Sequence, residues 1–131
     1  MRNFFKYYRN ALIWAFLILV LCTMPVKGIV TFKLIDLISF DKLAHMGLFA
    51  IQFWFLAIAH LKQYVFSYKR NAVGIRAFII TVLYGGFIEL LQGYALSGRT
   101  MDIMDMLANI IGAIAGWLVF FYFKQRAKKR D

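Results

Sequence analysis

The sequence is short of cysteine, proline and acid, and each scarcity excludes something. One cysteine in 131 residues rules out an intramolecular disulfide, so no covalent staple holds the fold. The residues ahead of Cys22, Leu19-Val20-Leu21, lack the small side chain that a lipoprotein cleavage site needs just before its cysteine. Cys22 therefore reads as a small buried residue in an apolar run. A single proline, Pro25, leaves the apolar stretches free to run as long unbroken helices. Charge is also scarce, at 17% of residues, with 6 Asp and Glu against 16 Lys and Arg. A soluble domain carries about 25% charge. What fills the chain instead is hydrophobic: 63% of residues, 14 of them Phe. That composition belongs to the membrane class.

The net charge of +10 invites a nucleic-acid reading. The positions of the charges argue against it. A nucleic-acid binder needs a basic face on a soluble domain. Here the basic residues fall in short blocks between apolar runs, and nothing outside those runs is long enough to fold alone.

Four apolar stretches are long enough to cross a bilayer core of ~30 Å, which takes ~20 helical residues. They cover approximately 7–24, 43–61, 77–95 and 103–123. The expected fold is an all-α membrane protein, a bundle of four transmembrane helices forming one domain over 1–131. The first run has no A-x-A-like site and is expected to remain as a span. Orientation follows from Lys and Arg. Arg2, Lys6 and Arg9 precede the first run, Lys62, Lys69, Arg70 and Arg76 follow the second, and Lys124, Arg126, Lys128, Lys129 and Arg130 end the chain. The positive-inside rule places these blocks, and both termini, in the cytoplasm, with the protein in the inner membrane.

Two further expectations concern organisation. The connection from Ile29 to Phe40 is mostly apolar but too short to span. It is expected to lie in the interface or fold back over the bundle, either as a lid or as a loop touching headgroups. The second helix opens Asp41-Lys42-Leu43-Ala44-His45 and the fourth opens Asp105-Met106-Leu107-Ala108-Asn109. Both enter from the same side, so two helical hairpins related by a parallel repeat are a candidate arrangement.

The polar residues within the runs are not scattered. Charges inside a bilayer cost about 2.5–3.5 kcal/mol each on insertion scales, so those present face other helices or water. Asp41 and His45 are one turn apart, as are Asp105 and Asn109; Glu89 and Gln92 are three apart. Counted from the outer ends, Glu89 and Asn109 lie at a similar depth of ~9 Å. Arg99 and Asp102 sit just above, and Gln52 is seven residues below His45 on the same face. Asp41, Glu89, Asp102 and Asp105 outnumber Lys42 and Arg99, so the layer is expected to retain a proton or take up a cation.

The ordered string Asp41-Lys42-x-x-His45, Gly86-x-x-Glu89-Leu90-x-Gln92, Gly98-Arg99 and Asp105-x-x-x-Asn109-x-x-Gly112-x-x-x-Gly116 resembles the VanZ-like membrane family over roughly residues 35 to 120. The resemblance implies a small helical membrane protein. The family's name-giving member is associated with low-level resistance to the glycopeptide teicoplanin. The resemblance brings no catalytic residue, cofactor or substrate with it.

Each residue has a structural reading beside the functional one. Asp102 reads first as a helix cap, and Asp41 and Asp105 share that reading. His45 is either oriented by Asp41 for acid–base or metal work or bonded to Glu89 as a structural pair. Arg99 either binds a phosphate or pairs with Asp102. Gln92 and Asn109 read as interhelical bridges. Ala108, Gly112 and Gly116 form a small-residue stripe, for packing within the chain or for a homo-oligomer. The expected ligand-binding set is Asp41, Lys42, His45, Glu89, Gln92, Arg99, Asp105 and Asn109. His45, Glu89 and Asp105 are the candidates if there is catalysis, and the sequence assigns no metal ligand or cofactor. Three functions stay open: binding or remodelling an envelope lipid or glycolipid, hydrolysis or transfer at a lipid headgroup, and a non-catalytic scaffold. No HExxH, phosphatase or nucleophile signature favours the second.

Overall fold

The computed structural model describes residues 2–24, 34–64, 72–95 and 101–128. Among the described residues there are four helices: α1 (Arg2–Thr23), α2 (Leu34–Gln63), α3 (Val73–Ala95) and α4 (Ile103–Lys128). Each contains a stretch long and apolar enough to cross a membrane, at Asn3–Thr23, Phe40–Gln63, Val73–Tyr94 and Ile103–Arg126. No glycine or proline interrupts α1, and it stops two residues ahead of Pro25, whose ring disfavours helical dihedrals in the residue before it. Large apolar side chains on all four helices stay exposed, among them Phe16, Leu43, Leu83 and Leu118. On spanning helices those side chains face lipid.

The helices run up and down. Trp14 Nε1 donates to the Leu48 carbonyl at 2.9 Å, and Tyr8 meets His60 edge-on, so α1 and α2 are antiparallel. Tyr84 donates to the Ala15 carbonyl and Gln92 to the Cys22 carbonyl, so α1 and α3 run parallel. Cys22, Lys42, Gln92 and Asp102 thus gather at one end of the bundle, the site end. Tyr8, His60, Tyr64 and Arg76 gather at the other.

The closest pair is α2 and α4, which lie parallel. A Cβ built on Gly112 would collide with the Met46 carbonyl and lie 2.9 Å from its Cα; one on Gly116 would lie 2.6 Å from the Ala50 oxygen. The small-residue stripe is therefore spent inside the chain, on the backbone of α2. Apolar burial supplies little drive between helices in lipid, so close backbone contact of this kind carries much of the association. Two apolar clusters fill the remaining interior. Tyr8, Phe53, Leu56, Val73 and Phe120 occupy the end near the termini. Ile18, Cys22, Phe49 and Ile88 lie beneath the site.

One expectation needs correction. α2 does not begin near Leu43: it begins at Leu34 and runs 30 residues, about 45 Å. The latter part of the expected lid, from Leu34 onward, is helix, and residues 29–33 lie outside the described residues. The physical reason is that no breaker separates Leu34 from the span; the first glycine after Gly28 is Gly47. Asp41 is consequently two turns inside α2 and caps nothing.

Candidate functional site

Three helices carry polar side chains to one place at the site end. From α2 come Asp41, Lys42 and His45; from α3, Glu89; from α4, Asp105 and Asn109, with Asp102 just before it. His45, Glu89 and Asn109 are at most 3% exposed. Buried polar groups must be bonded or they cost stability, and here the bonds form a chain.

The order of that chain fixes its chemistry. Asn109 Nδ2 donates to Glu89 Oε1 at 3.4 Å. The backbone N–H of Asp102 donates to the other carboxyl oxygen, Oε2, also at 3.4 Å. With its amino group turned to a carboxyl, Asn109 must turn its carbonyl to His45. His45 Nδ1 lies 2.9 Å from Asn109 Oδ1, and only an N–H can satisfy that oxygen. Nδ1 therefore holds the proton in the neutral ring, and the Nε2 lone pair is free to act as a base or ligand. Phe49 stacks below the imidazole, with ring planes 8° apart. Gly85 lets α3 approach, since a Cβ there would sit 3.2 Å from both Asn109 and Phe49.

A second, more open group lies toward the end of the bundle. Lys42 Nζ donates to Asp105 Oδ1 at 3.1 Å and to Asp102 Oδ2 at 3.3 Å. Asp102 caps α4: its Oδ1 accepts from Met104 N at 2.8 Å and its carbonyl from Asp105 N and Met106 N. The Met104 N–H, followed by Lys42, holds the Asp102 carboxyl below the usual carboxylate range. A lowered folded-state value means stability that is complete above the unfolded value of ~3.9 and lost as pH falls through the folded one. Asp102→Ala is therefore expected to cost about 0.5–2 kcal/mol, the usual range for a lost cap. In thermal melts the deficit should stay constant from pH 5 to 8 and shrink only in stronger acid. A deficit that changes between pH 5 and 8 would place its origin elsewhere.

The expected site residues thus divide. Asp41, Lys42, His45, Glu89, Asp105 and Asn109 come together. Gln92 does not join them: its Nε2 is spent on the Cys22 carbonyl at 2.8 Å, bridging α3 to α1. Arg99 lies outside the described residues. The partner that orients His45 is Asn109, neither Asp41 nor Glu89 directly. Sequence reasoning missed the Asp102 backbone amide on Glu89, and also Trp14 and Tyr84, whose polar ends clamp α1 to its neighbours. An aromatic with a polar handle inside an apolar run is the signal that was available for those two.

Residues 2–124, nearly the whole chain, match the family described as VanZ/LLP1. The chain belongs to the VanZ/LLP1 family. No curated protein and no solved structure matches it. Family membership and four spanning helices make it a multi-pass membrane protein of the VanZ type. The family match carries no residue roles, so the chemistry of the site rests on its own geometry.

Proposed function

We propose that this VanZ-family protein binds and remodels a cell-envelope amphiphile, taking the headgroup into the polar layer formed by α2, α3 and α4. The observation that carries the proposal is the graded layer itself. A bonded His45–Asn109–Glu89 chain is buried at its base, and Asp41, Lys42 and Asp102 form a partly exposed rim. A headgroup rich in hydroxyls or amines suits such a rim, while its acyl chains lie along the exposed apolar faces. Lys42 already spans two carboxylates, so it is not a free cation for a phosphate. In the proposed topology both termini are cytoplasmic in the inner membrane, and the site end faces outward, where envelope lipids and glycopeptides meet. A teicoplanin-type resistance role fits this placement.

The test compares cells making the wild-type chain with cells making Glu89→Gln, at matched membrane levels. Expected is loss of the teicoplanin phenotype and of the envelope lipid that co-purifies with the protein. Unchanged susceptibility together with unchanged lipid content would sink the proposal.

One observation favours a second reading, hydrolysis or transfer at a lipid headgroup. The Asn109 contact occupies His45 Nδ1, and the same imidazole groups with Asp41 and Asp105, an arrangement suited to general-base work. Turnover of an envelope lipid extract by purified protein, abolished in His45→Gln, would decide for it. No turnover would leave the binding role.

A further inference from the structure

Beside the His45–Asn109–Glu89 chain lies a grouping that the binding reading does not require and that can do more than move a proton. Asp41, His45 and Asp105 each offer one ligand atom, and these atoms all lie within 4.8 Å of one another. We propose that they hold one divalent first-row transition cation of the Mn2+, Co2+ or Zn2+ class.

The donor set points to that class. Imidazole suits first-row transition ions, whereas Ca2+ and Mg2+ favour all-oxygen sites. The spacing is close to what an ion needs. Ligand atoms at about 2.0–2.2 Å from a shared ion lie about 3–4 Å apart, so small side-chain rotations close the site. The backbone contact of Gly112 and Gly116 with α2 sets the distance between the two helices that supply the ligands.

The groups behind the ligands match as well. A metal-bound histidine commonly gives its other ring N–H to an oxygen acceptor, which fixes ring and tautomer. With Nε2 on the ion, His45 Nδ1 is left to Asn109 Oδ1 at 2.9 Å, and Asn109 is turned by Glu89. This support comes from residues outside the ligand group.

Charge points the same way. Asp41, Asp102 and Asp105 against Lys42 leave at least two negative charges in excess, with Glu89 bonded to Asn109 and to the Asp102 backbone amide. Near the bilayer such an excess is costly, and one dication cancels it. Lys42 bridges Asp102 and Asp105, so on ion entry its ammonium leaves Asp105 and stays with Asp102. Three protein ligands leave positions open for headgroup oxygens. That last step rests on the binding reading; ion binding does not.

The experiment titrates Co2+ alone into the full chain, purified in detergent without a metal-binding tag. Expected is a visible d–d band saturating at one ion per chain and displaced by Zn2+. His45→Gln and Asp41→Asn should each weaken binding by about tenfold or more, and Lys42→Met should tighten it, since the competing ammonium is gone. Asp41 is exposed, so Asp41→Asn keeps the test valid should His45→Gln fail to fold. Absence of the band, or equal affinity in wild type and Asp41→Asn, overturns the proposal. Lipid capture measured in EDTA separates the two ideas. Lipid without Co2+ binding sinks the ion site alone, and Co2+ binding without lipid sinks the headgroup reading alone.

Discussion

Gly112→Leu is expected to yield no folded, monodisperse protein, and Gly112→Ala a bundle weakened by about 2 kcal/mol or more. The reason lies in what the new side chain meets. A clash with the tip of a flexible side chain is relieved by a rotamer change. At Gly112 the obstacle is the Met46 carbonyl and Cα, held in the hydrogen-bonded backbone of α2, which cannot turn aside. The helices must part, and the packing that holds them in lipid falls off over fractions of an ångström. Gly86 provides the control. Nothing lies within 4 Å of a Cβ there, so Gly86→Ala should be neutral or stabilising by about 0.5–1 kcal/mol through helix propensity. Thermal melts in detergent check both. Equal midpoints for Gly112→Ala and Gly86→Ala would mean that α2 and α4 do not meet at this seam.

Asn109→Leu is expected to do the reverse, leaving the fold largely intact and disabling the site. Leucine keeps asparagine's branching at Cγ but is bulkier, so part of the cost is closer packing against Gly85. Lost are two interhelical hydrogen bonds, which in membranes are worth about 0.6 kcal/mol on average and ~1.7 at most. The stability cost should thus be about 1–3 kcal/mol. The chemical loss is larger, because one amide links His45 to Glu89. Without the Asn109 carbonyl, nothing described here keeps the proton on Nδ1. Nitrogen NMR of the labelled imidazole should report the Nδ1–H tautomer in wild type and its loss in Asn109→Leu. Co2+ affinity at the proposed ion site should fall by tenfold or more in parallel. A wild-type ring protonated on Nε2 would refute the bonding order on which this expectation depends.

Much of this was legible in the residues. Four runs without internal proline correspond to four helices, and counting turns from their ends put Glu89 and Asn109 at a similar depth, in a layer shared with Asp41, His45 and Asp105. Periodicity gives a residue's face and depth. It does not give the partner across the gap. Hence Asn109 read as a generic bridge, and its place between His45 and Glu89 became visible only with the helices assembled. Gln92 shows the same limit: one turn from Glu89, it turns to α1. The start of α2 was misplaced for a different reason. Membrane thickness sets the length of an apolar span but does not limit a helix that continues past it. Asp36 and Ser39 interrupt the hydropathy without breaking the backbone.

The glycine seam also bears on how the site responds to its surroundings. Changes in bilayer thickness or tension are absorbed by helices that tilt and slide. With α4 seated on the backbone of α2, Asp41, His45, Asp105 and Asn109 ride on one stiff frame, and their spacing resists such changes. Glu89 rides on α3, which meets the frame at Gly85, and its carboxylate is joined to the frame by bonds of 3.4 Å. A shift of α3 under membrane deformation would therefore reach the imidazole as a loosening of the amide between Glu89 and His45.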